Sequence, residues 1–226
     1  MENISNKRMI LSLILKGIAF FSAIIGTILS AYAGRNSFMG GKSVFMYFTI
    51  QSNLALALIC AAGAVMLLKN TVKSWWFVVK FVGTVSITLT GIVFCFVLAP
   101  TMGKYAWNFQ NILTHVVVPI VCVWDFFVTG VISDIKKKNV WLVIIPPLLY
   151  AIYAGIGYVC NLQFAEGINY PYFFLNWGSP VGAFGFSSEF PFMGCTWWIV
   201  ALFIFLVLVG YGYLGILNKL KKNYKK

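Results

Sequence analysis

Six apolar stretches, each long enough to cross a lipid bilayer, constrain this chain more than any other feature of its sequence. A membrane-spanning helix needs about 20 mostly apolar residues, because the hydrocarbon core of a bilayer is about 30 Å thick. Helices are the expected form, since each one satisfies its own backbone hydrogen bonds. We therefore predict an all-α bundle of six transmembrane helices forming a single domain, 1–226. The approximate spans are 9–33, 44–68, 75–100, 109–133, 140–160 and 196–217.

The composition points to the same class of protein. Of the 226 residues, 61% are hydrophobic and only 10% are charged. Soluble domains are typically about 45–50% apolar and about 25% charged. The chain is therefore expected to be an integral membrane protein.

Basic residues concentrate in the connections on one side of the predicted bundle. The other side carries only Arg35, Lys42 and Lys104. Under the positive-inside rule, this asymmetry places both termini in the cytoplasm and the chain in the cell membrane. The net charge of +12 then reflects a basic inner surface, which attracts anionic lipid headgroups. Because the lysines lie at helix ends and not along one groove-sized face, we predict membrane lipids and not nucleic acid as partners.

The segment 161–195 differs from the rest of the chain. It is rich in glycine, proline and aromatic residues and contains no lysine or arginine. Its aromatic content is atypical of a disordered loop, so we interpret it as a folded extracellular lid between helices 5 and 6. Four of its aromatic side chains are candidates to grip an acyl chain. These are Tyr170, Tyr172, Phe173 and Trp177.

The five cysteines do not have the spacing of a metal site, and the sequence predicts neither a metal nor another cofactor. Cys160 and Cys195 bracket the lid. They could close it as a disulfide in an oxidising compartment or remain two unpaired thiols. Both alternatives fit the sequence.

Two polar stripes lie at the same depth of the predicted bundle. Thr49, Ser52 and Asn53 share a face of the second helix. Asn108, Asn111 and His115 form a similar stripe on the fourth. Thr49 is about five residues, or ~8 Å, below the outer boundary, and His115 is about six residues, or ~9 Å, below it. Buried polar groups avoid lipid, so we expect the two stripes to face each other.

This pairing permits ester hydrolysis or acyl transfer. A neutral imidazole can take the proton of a threonine hydroxyl, which then attacks a carbonyl carbon. The surrounding polar pocket would stabilise the oxyanion; its members are Gln51, Ser52, Asn53 and Asn111. The alternative is structural: Thr49 bonds back to its own helix, and His115 is a hydrogen-bond partner between helices.

Three motifs resemble the bacterial Pr6Pr family of membrane proteins. They are the segment Tyr47 to Leu54, His115 followed by Pro119 and Asp125, and the segment Asn169 to Leu175. More distantly, the chain is similar to the androgen-induced family, whose better-known members are six-helix threonine hydrolases that cleave fatty acid esters of hydroxy fatty acids. The resemblance implies a lipid-like substrate, with Thr49 as the nucleophile and His115 as the base.

The sequence also departs from the animal members of that second family. They have an acidic residue shortly after the threonine, where this chain has Gln51, Ser52 and Asn53. The spacing from histidine to proline is one residue shorter here. The resemblance therefore supports the fold more strongly than it supports the substrate.

Three charged residues fall inside the predicted spans. Asp125 lies at a depth similar to that of Lys16 and Lys80, so a pair with either lysine would avoid an unpaired charge in the membrane. We favour a structural ion pair that clamps helices 1, 3 and 4 over a proton or ion relay. The second class of function left open is a non-enzymatic lipid or solute binder, or a small transporter, that uses the same polar pocket.

Overall fold

A computed structural model describes residues 4–33 and 41–224. Helices are the only regular secondary structure among these residues, since the two β-bridges remain isolated. Six helices are long and apolar enough to cross a membrane, which confirms the predicted helical class and the number of spans. They are α1 (Asn6–Ala33), α2 (Phe48–Leu68), α3 (Ser74–Ala106), α4 (Phe109–Gly130), α5 (Lys137–Val159) and α6 (Cys195–Tyr224).

The third helix continues beyond Pro100, where the sequence predicts its end. A π-helical turn at Phe94–Leu98 precedes a short α-helical segment, Ala99–Met102. Pro100 occupies one of the first two positions of that segment, so its missing N–H falls where the helix changes from the π form to the α form. The widened turn therefore lets the helix pass a residue that would otherwise end it.

The fourth helix has the same construction. A π-helical turn, Leu113–Val117, precedes the α-helical segment Val118–Gly130, and Pro119 lies at the start of that segment. The fifth helix begins as the 3₁₀ segment Lys137–Ile144 and becomes α-helical immediately before its two consecutive prolines. Proline thus coincides with a change of helical form in α3, α4 and α5.

Two apolar clusters hold the helices together. One joins α1, α2, α3 and α4 through small side chains such as Ala19, Ala23 and Ala57. The other joins α3, α4, α5 and α6; its largest members are Phe77, Phe81, Phe126, Leu206 and Leu217. Small residues let helix backbones approach closely, which favours association where lipid removes the hydrophobic driving force.

Gly91 provides a close approach to the backbone of the polar stripe on α4. A Cβ atom at this position would lie 2.9 Å from the carbonyl oxygen of His115 and 3.1 Å from Cγ of Pro119. Only glycine therefore allows α3 to pack against the π turn of α4 at this distance. The position of His115 depends on this contact.

Both ends of the described chain lie at one end of the bundle. Arg8, at the start of α1, donates a hydrogen bond to the Val128 carbonyl (3.0 Å) and lies over the ring of Tyr224, 5.0 Å from its centroid. Lys221 donates to the carbonyl of Ser133 at 2.6 Å. The asymmetry of basic residues in the sequence also includes Arg35 on one side and Lys225 and Lys226 in the C-terminal tail on the other. These three lie outside the described residues.

The predicted lid packs against the bundle between α5 and α6. It consists of turns and one short 3₁₀ segment, Phe173–Leu175. The Tyr47 hydroxyl donates to the Phe164 carbonyl at 3.1 Å, which fastens the lid to the start of α2. Cys160 is exposed and Cys195 is buried, and both are free thiols in this structure. The lid is therefore held by packing and hydrogen bonds, not by a disulfide between them.

Candidate active site

The two central residues of the polar stripes lie in contact. Thr49 is the second residue of α2, and His115 lies in the π turn of α4. The Thr49 Oγ1 atom and the His115 Nε2 atom are 3.3 Å apart. Thr49 is half-buried and His115 is 8% exposed, so the pair is largely shielded from the surroundings. This is hydrogen-bond distance for a hydroxyl and an imidazole.

The contacts of the other imidazole nitrogen, Nδ1, indicate which of the two ring nitrogens carries the proton. His115 Nδ1 lies 3.1 Å from the Asn111 carbonyl oxygen and 3.0 Å from the Thr114 hydroxyl. A carbonyl only accepts, and the Thr114 hydroxyl already donates to the Gln110 carbonyl at 2.9 Å. Nδ1 therefore carries the proton, and the lone pair of Nε2 is directed at the Thr49 hydroxyl.

Phe94 fixes the plane of the imidazole. Its ring stacks on the His115 ring with centroids 3.8 Å apart and an interplanar angle of 20°. Phe94 begins the π turn of α3, and His115 lies in the π turn of α4, so the two irregular turns meet at this contact. π turns occur often at functional sites. The sequence analysis did not identify Phe94, because no pattern separates it from the other phenylalanines of the chain.

The amides of the predicted pocket are engaged with the backbone. The Asn53 amide nitrogen donates to the carbonyls of Thr49 (2.8 Å) and Thr114 (3.1 Å), and that of Asn111 donates to the Ala106 carbonyl (2.9 Å). Both hydrogens of the Asn53 amide are thereby used. In this arrangement Asn53 ties α2 to α4 and presents no free donor to an oxyanion beside Thr49.

The other two pocket residues point in different directions. Ser52 lies 2.9 Å from the Thr90 hydroxyl and 3.0 Å from the Thr49 carbonyl, which links α2 to α3 directly below the pair. Gln51 is exposed and donates to the Phe45 carbonyl at 3.0 Å, away from Thr49. Ser52 therefore supports the site, whereas Gln51 stabilises the preceding turn.

Tyr172 is the lid residue that reaches the site. Its hydroxyl accepts a hydrogen bond from the Thr49 backbone N–H at 3.4 Å, and its ring stacks on Phe174 at 5.0 Å. Burial raises the pKa of the Tyr172 phenol, so the phenol keeps its proton at neutral pH. A protonated hydroxyl that lies beside Thr49 can donate a hydrogen bond.

The other predicted lid aromatics lie elsewhere. Phe173 packs against Phe190 and Trp198, with ring centroids 4.4 and 5.6 Å apart. Trp177 has a buried Nε1 without a hydrogen-bond partner, and Tyr170 is half-buried. Among the described residues that line the cavity beside Thr49, Tyr172 is the one member of the predicted set.

An apolar cavity of about 60 Å³ lies beside Thr49. It is bounded by α2, α3, α5, α6 and the lid, and its polar lining is limited to hydroxyl groups. Pro147, in the proline pair of α5, forms part of its wall. The main apolar contributors are Leu89, Val93, Pro147, Phe174, Leu202 and Phe203. A cavity of this character suits a hydrocarbon group better than a polar one.

Asp125 binds both of the lysines that the sequence offers as alternatives. Its Oδ2 atom lies 2.7 Å from Nζ of Lys16 and 2.6 Å from Nζ of Lys80. Lys80 also donates to the Thr129 hydroxyl, and Ser12 donates to Asp125 Oδ1 at 2.5 Å. The cluster joins α1, α3 and α4, and every charged group in it has a partner.

Within residues 4–33 and 41–224, no group of three or more histidine, cysteine, aspartate or glutamate side chains could hold a metal ion. Comparison with known proteins adds no assignment. No protein-family model matches the chain, and neither a curated protein nor a solved structure matches it. The likeness to the Pr6Pr family therefore stays a prediction from the motifs, and the function is argued from the site itself.

Proposed function

We propose that this chain is an intramembrane lipid ester hydrolase in which Thr49 is the nucleophile and His115 is the general base. The observation that carries the proposal is the contact of 3.3 Å between Thr49 Oγ1 and His115 Nε2. The hydrogen bond from Nδ1 to the Asn111 carbonyl orients the imidazole, as the third group of a catalytic triad does.

The reaction proceeds in two steps. In the first, Thr49 Oγ1 bonds to the ester carbonyl carbon while its proton passes to His115 Nε2. The imidazolium then protonates the leaving alcohol as the ester C–O bond breaks, leaving the acyl group on Thr49. In the second step, water attacks the acyl carbonyl and gives one proton to His115, which returns it to Thr49 Oγ1 as the acid departs. An alcohol in place of water would give acyl transfer.

The developing oxyanion needs donors that the predicted amides do not offer. Thr49 lies in the first turn of α2, where the backbone N–H groups and the helix dipole favour negative charge. The Tyr172 hydroxyl lies 3.4 Å from the backbone nitrogen of Thr49. Because the N–H groups of Ile50 and Gln51 already donate to the Tyr47 carbonyl, and that of Thr49 to the Tyr172 hydroxyl, we assign the oxyanion donor to the Tyr172 O–H.

Replacing Tyr172 with phenylalanine is expected to lower kcat for a lipid ester by about 10²-fold, because one oxyanion donor is lost while the ring packing remains. The measurement is the kcat of the purified variant beside wild type. Tyr153→Phe is the control, since Tyr153 is half-buried and does not line the cavity. Unchanged turnover in Tyr172→Phe would remove this residue from the mechanism.

The substrate class follows from the cavity and from the resemblance. The apolar walls suit the hydrocarbon part of an ester next to Thr49, and the likeness to the androgen-induced family implies an ester of a fatty acid with a hydroxy fatty acid. The charge asymmetry supports both termini in the cytoplasm, and the lid then faces outward. The site would therefore lie in the outer leaflet of a bacterial cell membrane.

A fluorophosphonate probe tests the proposal, because it reacts with activated hydroxyl nucleophiles. We expect wild type to be labelled, Thr49→Ala to be unlabelled, and Thr49→Ser to be labelled again. Thr101→Ala is the matched control, since the Thr101 hydroxyl is exposed and bonds only to its own helix. An unlabelled wild type with an intact fold would favour the non-enzymatic binder or transporter.

A further inference from the structure

A groove of about 460 Å³ opens on the lateral surface of the bundle, between α2, α3 and α5. Its lining is mainly apolar and includes Ala55, Ile59, Val79, Val82 and Leu142. Ala55 and Val79 are themselves exposed. All three helices are long and apolar enough to cross a membrane, so the hydrocarbon chains of lipids are the medium that meets this surface.

The groove and the cavity beside Thr49 follow one another along the same crevice. On α3, the groove ends at Ser86 and the cavity begins at Leu89, about one helical turn further on. On α5, Pro146 lines the groove and Pro147 lines the cavity. The groove and the cavity are therefore adjacent along α3 and α5, with the cavity on the side of Thr49.

Phe48 lies between the groove and the cavity. Among the described residues it is the one that lines both, and its ring packs against Tyr150 with centroids 5.2 Å apart. Along α3 the groove extends from Val78 to Ser86, about eight residues or ~12 Å. One leaflet of the hydrocarbon core is ~15 Å deep. The groove thus has the length of a lipid acyl chain within a single leaflet.

A buried hydroxyl lies at the end of the groove nearest Phe48. Ser86 lines the groove, is 3% exposed, and its Oγ atom has no hydrogen-bond partner. A buried polar group without a partner costs free energy. Because this oxygen is itself buried, it offers no hydrogen bond to a group in the groove, directly before Phe48.

We propose that this groove seats the acyl chain of a membrane lipid and that Phe48 is the gate through which the lipid reaches Thr49. Binding of the acyl chain needs no chemistry at Thr49 and depends only on the groove. The role of the gate rests on the proposed function, because it presumes that the lipid is delivered to the nucleophile.

The test uses palmitic acid with a photoreactive diazirine on its hydrocarbon tail. It is added to the whole protein in phosphatidylcholine nanodiscs. Crosslinks are expected on the facing walls of the groove. Ala55→Phe fills the groove from an exposed position, and we expect it to reduce these crosslinks at least about fivefold, a loss of about 1 kcal/mol of binding. Leu58→Phe is the matched control, since Leu58 is 70% exposed on the same helix and does not line the groove.

Equal crosslinking in wild type and Ala55→Phe, or crosslinks no denser in the groove than around Leu58, would overturn the binding site. Phe48→Ala should add crosslinks on Tyr150 and the other cavity walls; if it adds none, Phe48 is not a gate. Thr49→Ala should crosslink as wild type does. Groove crosslinks in a protein that hydrolyses no ester would reject the proposed chemistry alone, and hydrolysis without groove crosslinks would reject the groove alone.

Discussion

Replacing His115 with alanine is expected to lower the turnover of a lipid ester by at least about 10³-fold, because Thr49 loses the base that accepts its proton. The lone pair of Nε2 faces the Thr49 hydroxyl at 3.3 Å, and the described structure shows no other base for that hydroxyl. A threonine hydroxyl is a weak nucleophile without a base. The measurement is the kcat of the purified variant in nanodiscs, compared with wild type.

The matched test of this mechanism is the double variant Thr49→Ala with His115→Ala. Groups that act as one catalytic unit are strongly non-additive, so the double variant should lose no more activity than either single one. Because His115 packs on Phe94, each variant must first show a melting temperature near that of wild type. Multiplied losses in the double variant, or normal turnover in either single variant, would reject the pairing.

Replacing Asp125 with asparagine is expected to destabilise the protein by about 3–5 kcal/mol, because it leaves two buried cations without an anion. The side chains of Lys16, Lys80 and Asp125 are 4%, 6% and 1% exposed, so water does not replace the lost carboxylate. In a chain of this size, such a loss corresponds to a fall of about 10 °C in the melting temperature. Thermal unfolding in detergent measures it.

The control for this variant is Asp134→Asn. Asp134 forms a 3.8 Å contact with Lys136, and both side chains are largely exposed, at 76% and 63%. Exposed pairs contribute little, so no shift is expected there. A stable Asp125→Asn protein would contradict the clamp. Partial recovery of stability when both lysines are also replaced with methionine would support it, since the uncompensated charges are then gone.

The helical class and the number of spans follow from the sequence alone. Runs of about 20 apolar residues have no stable alternative in lipid, because only internal hydrogen bonding satisfies the backbone there. The rise of a helix per residue also converts position in the chain into depth. That conversion alone predicts that Thr49 is level with His115, and that Asp125 is level with Lys16 and Lys80.

Depth alone does not say which way a side chain points around its helix. The tertiary structure decided that Asp125 binds both Lys16 and Lys80, and that the Asn53 amide is used by backbone carbonyls instead of facing an oxyanion. The π turns of α3 and α4 change the rotation of each helix at the site and bring Phe94 onto His115.

The lid shows the same division between sequence and structure. Its aromatic composition predicts a folded cover, but four aromatic residues were equal candidates to reach the site. Packing against α2, α5 and α6 selects Tyr172 to lie over Thr49 and turns Phe173 towards Trp198. Composition and hydropathy thus determine which segments form helices and at what depth, because they report transfer from water to lipid. Rotation, irregular turns and loop packing depend on contacts between distant residues, so only the folded chain decides them.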